Sequence, residues 1–278
     1  MTTARSAAVL HRGAQIAYER AMRGQPASRG RHRSGTALVA AQARLRALAD
    51  QCQKRNVLTN GPYYGTDAQR EETIDAISSA DRFDGVVTRN HYGCLVLNAD
   101  HALFIDVDVP ASDEIARHVG NGRPSSPWRR VLEDLRIVLA NEREEGFRIY
   151  RTAAGFRILA TAHEFEPGSP RSNRLMDAVG ADEAFVGLCR IQNSFRARLT
   201  PKPWRCGVRR PPHSFPRKSH YQQRRFADWL EQYEQASRGW ATCRYAAHVG
   251  PQIVHNRIAP VIQFHDRQTK ALDALHLA

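Results

Sequence analysis

The ten residues HALFIDVDVP, at 101–110, constrain the fold more than any other stretch of this chain. Strand alternation puts Leu103, Ile105, Val107 and Val109 on one face and Ala102, Phe104, Asp106 and Asp108 on the other. Two carboxylates therefore sit side by side, roughly 7 Å apart, inside an otherwise apolar strand. An unpaired, desolvated charge costs several kcal/mol, against a total stability of about 5–15 kcal/mol. The acids must be solvated, paired with arginine or bound to a metal.

The flanking sequence supplies partners for that strand. GVVTRN (85–90) and GCLVLNA (93–99) read as a hairpin before it. WRRVLEDLRIVLANERE follows as a helix, then GFRIYRT (146–152) and GFRILATA (155–162) as two short strands. RSNRLMDAVGADEAF opens a helical region, and NSFRARLTP (193–201) reads as a strand. From Asp106 onward the order is β–α–β–β–α–β, an α+β, RRM- or ferredoxin-like unit with its first and third strands adjacent at the sheet centre. In such a palm both helices cover one sheet face and the other stays open. Alternation assigns Asp106, Asp108, Arg148, Tyr150, Arg157, Thr161, Arg196 and Arg198 to the open face. TDAQREETIDAISSA (66–80), with Thr66 and Asp67 as caps, reads as a helix.

Charge is uneven along the chain. The net charge is +13, and residues 1–60 hold eleven Lys/Arg against Glu19 and Asp50. Phe185 to Phe226 adds eleven more with no acid. Such segments invite phosphate, so nucleic acid is the expected partner, DNA ahead of RNA. The expected contacts are Arg29, Arg31 and Arg33 in the linker 23–35, and Arg205, Arg209, Arg210, Arg217 and Lys218 downstream. Trp204, Phe215 and Tyr221, interleaved with these cations, suit either base stacking or packing. The organisation expected is a basic helical region at 1–60, a palm at 61–205 and a basic, α-rich extension at 206–278. In that extension Phe226, Leu230 and Tyr233 read as core, GWATCRYAAHVG (239–250) as a late strand, and His265–Asp266 as a structural pair. Five scattered cysteines give neither a disulfide framework nor a zinc module, which fits a reducing, cytoplasmic setting. No apolar run reaches the ~18 residues needed to span a membrane, so no membrane partner is expected.

Carboxylates at i and i+2 are oxygen donors for Mg²⁺ or Mn²⁺, and nearby guanidiniums suit a triphosphate. On those grounds Asp106 and Asp108 are the expected catalytic metal ligands. Two rival readings are a two-metal nuclease and a nucleic-acid-binding protein without turnover on a degenerate palm.

LFIDVDVP resembles the first motif of the archaeo-eukaryotic primase superfamily, an apolar strand ending in Asp-x-Asp. YRTAAGFRILAT resembles its second motif region, and RIQNSFRARLTPKPWR its closing strand and Pro/Lys-containing loop. The likeness covers about residues 85–205. It implies a primase-polymerase palm, nucleoside triphosphates as substrates and metal-dependent nucleotidyl transfer on a nucleic-acid template, as in DNA replication. Arg157 and Arg198 become the leading triphosphate contacts, supported by Arg148, Arg196 and Lys202. Two departures stand out. Arg157 occupies the place where the family usually has a histidine. The third acid is not marked by a motif; Asp182 is the first candidate, then Glu183, with Glu164 and Glu166 behind them.

Overall fold

A computed structural model describes residues 71–79, 82–109 and 127–278. The expected basic region at 1–60, with Arg29, Arg31 and Arg33, lies outside the described residues, as does the cap at Thr66–Asp67. The architecture is mixed α+β, with two four-stranded antiparallel sheets and five α-helices among the described residues.

The first sheet runs β1 (Glu72–Ser79), β2 (Arg82–Arg89), β3 (Leu95–Ala99) and β7 (Phe195–Arg198) in spatial order. The second runs β4 (Phe104–Asp108), β6 (Gly155–Ala160), β5 (Phe147–Thr152) and β9 (Cys243–Val249). The expected hairpin of β2 and β3 forms, the two short strands β5 and β6 pair antiparallel, and β4 pairs antiparallel with β6. The two-residue strands β8 (Trp240–Ala241) and β10 (His276–Leu277) pair parallel at the C-terminal end.

Three expectations are corrected. Residues 72–79 form a strand, not a helix. Thr73, Ile74 and Ile77 are β-branched and suit an extended edge, and pairing with β2 overrides the i, i+3 spacing of the two isoleucines. β7 pairs with β3, Leu97 opposite Ala197, and not with β4. The face carrying Asp106 is not open. Helix α5 (Ile258–Thr269) lies on it, with the His265 ring 5.3 Å from Phe104 and 4.8 Å from Tyr150.

Helix α1 (Pro127–Leu139) covers the opposite face, where Trp128 meets Phe156 edge-on at 5.7 Å. Helix α2 (Pro170–Ala178) starts at Ser169, whose hydroxyl accepts from the Ser172 amide, with proline in its first turn. Helix α3 (Glu183–Gln192) is capped by the Asp182 side chain and ends at Asn193 in the left-handed region, φ 47°. One continuous core joins both sheets through Leu97, Phe104, Ile105, Ile158 and Phe195. Helix α4 (His220–Ser237), capped by Ser219, forms a smaller separate cluster of Phe226, Trp229 and Tyr233, as expected for two of the three named positions, with Leu230 half-buried beside them. Among the described residues no helix is long and apolar enough to cross a membrane.

Candidate functional site

Asp106, Arg157, Tyr150 and Tyr245 form one row across the second sheet, each directly opposite the next. Register explains the first contact: Arg157 sits on the strand beside Asp106 with its side chain on the same face. Its Nε donates to Asp106 Oδ1 at 2.8 Å and its Nη2 to Oδ2 at 3.0 Å. Its Nη1 donates to the Arg198 carbonyl at 2.8 Å, linking β6 to β7. Arg157 is 1% exposed, whereas the Asp106 side chain keeps 30% of its surface in solvent. Burial alone would depress the guanidinium; the Asp106 carboxylate outweighs it and holds the Arg157 pKa above its ordinary value. Arg157 is a buried counter-ion here, with its fork engaged by Asp106.

Asp108 has a different environment. It is exposed at the end of β4, and its pKa is raised by partial desolvation, then by the neighbouring carboxylates of Asp182 and Asp106. Asp182 donates its backbone N–H to the Asp106 carbonyl at 3.0 Å, and its Oδ1 accepts from Phe185 at 2.6 Å. The three acids are neighbours, but among the described residues no group of three His, Cys, Asp or Glu side chains is gathered closely enough to hold a metal ion by itself. Glu164 is instead held by Arg257 at 2.5 Å, and Glu166 lies exposed.

Opposite Asp108 stand Arg198, Lys202 and Arg205. The Lys202 pKa is lowered by burial and then by the charges of Arg198 and Arg205; the Arg205 pKa is lowered by burial and then by Arg198. Asp108 pulls the other way on both. Arg198 Nε and Arg205 Nη1 are buried and donate to no acceptor. Buried donors left unmade are expensive, about 1–3 kcal/mol each. Three mutually repelling cations, two of them with idle buried donors, therefore stand beside an acid.

The remaining expected residues are dispersed. Arg148 donates to Asp266 Oδ2 and to the Tyr150 hydroxyl, both at 2.6 Å, and lies 4.5 Å from the Tyr245 ring centre. It is spent on the α5 packing. Arg196 donates to Asn98 at 2.8 Å and Glu71 at 2.6 Å, within the first sheet. Arg217 pairs with Glu72 at 2.5 Å and covers the Phe226 ring at 3.9 Å. Arg209 accepts through its carbonyl from Trp229 Nε1, while its side chain and that of Lys218 are exposed. Arg210 lies over Tyr92 and Trp204. Tyr92 escaped the sequence reading; its only signal was an aromatic in the tight turn before β3.

One constellation mimics a nucleophilic triad. Cys243 Sγ is 3.9 Å from His265 Nε2, and His265 Nδ1 is 3.1 Å from Asp266 Oδ1. Burial pushes the Cys243 thiol up to about 11 and the His265 pKa down. A buried thiol with no route to substrate is a packing residue. His265–Asp266 thus serves the core.

No protein-family model, curated protein or solved structure matches this chain.

Proposed function

We propose that the chain is a metal-dependent nucleotidyltransferase of the primase-polymerase kind, acting on nucleic acid, with its palm built on the sheet of β4, β6, β5 and β9. The observation that carries this reading is the opposition of Asp108 and its carboxylate neighbours to the unpartnered donors of Arg198 and Arg205 beside Lys202. Charge of both signs gathered in one place suits a phosphate chain accompanied by a divalent cation. Mg²⁺ commonly takes only one or two carboxylates and fills its shell with water and substrate phosphate, so a missing three-acid cage does not disqualify the donor set. Asp108 and the outward lone pairs of Asp106 are the oxygens that would hold Mg²⁺ or Mn²⁺, with Asp182 adjacent. Bound there, the ion would neutralise phosphate charge. Arg198, Lys202 and Arg205 would grip the non-transferred phosphate oxygens and orient them, work that positioning and electrostatics perform in phosphoryl transfer.

The lock of Arg157 on Asp106 favours a second reading, a palm that binds nucleic acid without turnover. One experiment separates them. Purified full-length protein is given a primed single-stranded template, nucleoside triphosphates and Mn²⁺. Product that requires triphosphate and disappears in Asp108→Asn supports transfer. Template binding without product, at any metal concentration, selects the binding protein.

A further inference from the structure

Trp204 stands on a 3-10 turn (Pro203–Cys206) with 43% of its surface exposed. Its neighbours are chemically selective. Tyr92, from the turn between β2 and β3, meets it edge-on at 5.2 Å. The Arg210 guanidinium lies 5.1 Å from the Trp204 ring centre and 5.2 Å from that of Tyr92, and the Lys202 ammonium is 5.5 Å from Trp204. Among the described residues neither cation is paired with a carboxylate. An indole with 43% of its surface in water, flanked by unpaired cations, matches one ligand well, a base with its phosphates.

We propose that Tyr92, Trp204 and Arg210 form a stacking platform for single-stranded nucleic acid, which leads the strand toward Arg198, Lys202 and Arg205. The proposal rests on reading that trio as phosphate-binding. Lys202 connects the two places, since it faces the Trp204 ring and also stands in the field of Arg198 and Arg205. A phosphate held by the trio brings an adjoining base within reach of the indole.

The platform is built before any strand arrives. Asn90 Oδ1 accepts from the Tyr92 amide at 3.0 Å and the Cys94 amide at 3.1 Å, fixing the tyrosine turn. Tyr233 donates to the Pro201 carbonyl at 2.6 Å, and Cys94 Sγ contacts the same carbonyl at 3.3 Å, fixing the approach to Trp204. A preformed surface loses little freedom on binding. Duplex bases are already stacked on each other and present no free face, so the platform discriminates for single strands.

The test is fluorescence anisotropy with the full chain at fixed salt, using a labelled twelve-nucleotide single strand and a duplex of equal length. Trp204→Ala should weaken single-strand binding roughly tenfold or more. Trp204→Phe should retain most of the affinity, Arg210→Gln should weaken it, and duplex binding should hold in both Trp204 variants. Unchanged single-strand affinity in Trp204→Ala overturns the proposal. So does an equal loss on single strand and duplex, which would report charge or folding and not stacking. A single-strand-specific loss in a protein that makes no product with Mn²⁺ and triphosphates would remove the transferase reading and leave the platform standing.

Discussion

Asp106→Ala should destabilise the protein by about 3–5 kcal/mol, because it strands a buried guanidinium without its counter-charge. Two of the three hydrogen bonds of Arg157 end on Asp106, at 2.8 and 3.0 Å; only the bond to the Arg198 carbonyl survives the change. Arg157 is 1% exposed and cannot turn to water without opening the sheet. The reverse replacement is milder. Asp106 keeps 30% of its side-chain surface in solvent, so Arg157→Met should cost about 1–3 kcal/mol, the scale of an unmade hydrogen-bonding group. Asp106→Leu with Arg157→Met removes both charges and should come within about 2 kcal/mol of the parent, since apolar replacement of a whole pair is often near neutral. Urea unfolding at pH 7 closes the cycle, provided the m-value stays constant. In thermal melts Asp106→Ala should fall by roughly 6–20 °C, at about 2–4 °C per kcal/mol for a domain of this size. Single changes that add to within about 0.5 kcal/mol would refute the reasoning. Arg157 would then be uncoupled from Asp106 and free to meet a phosphate.

Two further outcomes follow from geometry nearby. The Asp108 pKa is raised by desolvation, Asp182 and Asp106, so in the fold its ionised form is the disfavoured one. Asp108→Asn should therefore be more stable than the parent at pH 7. The gain should shrink as pH falls through the raised value and vanish below the ordinary value of 3.8; melting temperatures that differ equally at every pH would contradict it. At Gly155 an added Cβ would stand 1.9 Å from the Val107 carbonyl oxygen and 2.9 Å from the Asp108 Cα. Gly155→Ala should thus push β6 off β4 and cost about 1–3 kcal/mol in denaturant unfolding; a parent-like midpoint would show that the strands tolerate the separation.

Local pattern carried much of the fold. Period-two alternation in HALFIDVDVP and GFRILATA placed Asp106 and Arg157 on the same face, and the structure pairs them directly. What alternation cannot express is depth. Arg157 is buried because α5 and β7 close over its row, and α5 comes a hundred residues later, in a stretch that looked like an appendage. The same non-locality sent β7 to β3, where Arg196 finds Asn98 and Glu71. At 72–79 two isoleucines three apart imitate a helix stripe, and only the ladder to β2 decides otherwise. Within the candidate site, Arg198 was legible as a cation in a strand and Lys202 as one just after it. Tyr92 was not, because its role depends on a turn touching a residue more than a hundred positions away.

The small cluster under α4 sets the position of the cations without belonging to the main core. Tyr233 donates to the Pro201 carbonyl and its hydroxyl oxygen meets Thr200 Oγ1 at 2.8 Å, and Trp229 Nε1 donates to the Arg209 carbonyl. The segment that carries Lys202, Trp204 and Arg205 is thereby bracketed by one helix. Proteins open in cooperative pieces with separate free energies, and this bracket is held by three aromatic side chains where the two sheets share a continuous interior. Loosening α4 would release the segment of Lys202, Trp204 and Arg205 while the sheets stay closed. The order of that segment and the stability of the whole fold are thus under the control of different residues, and selection can retune one without disturbing the other.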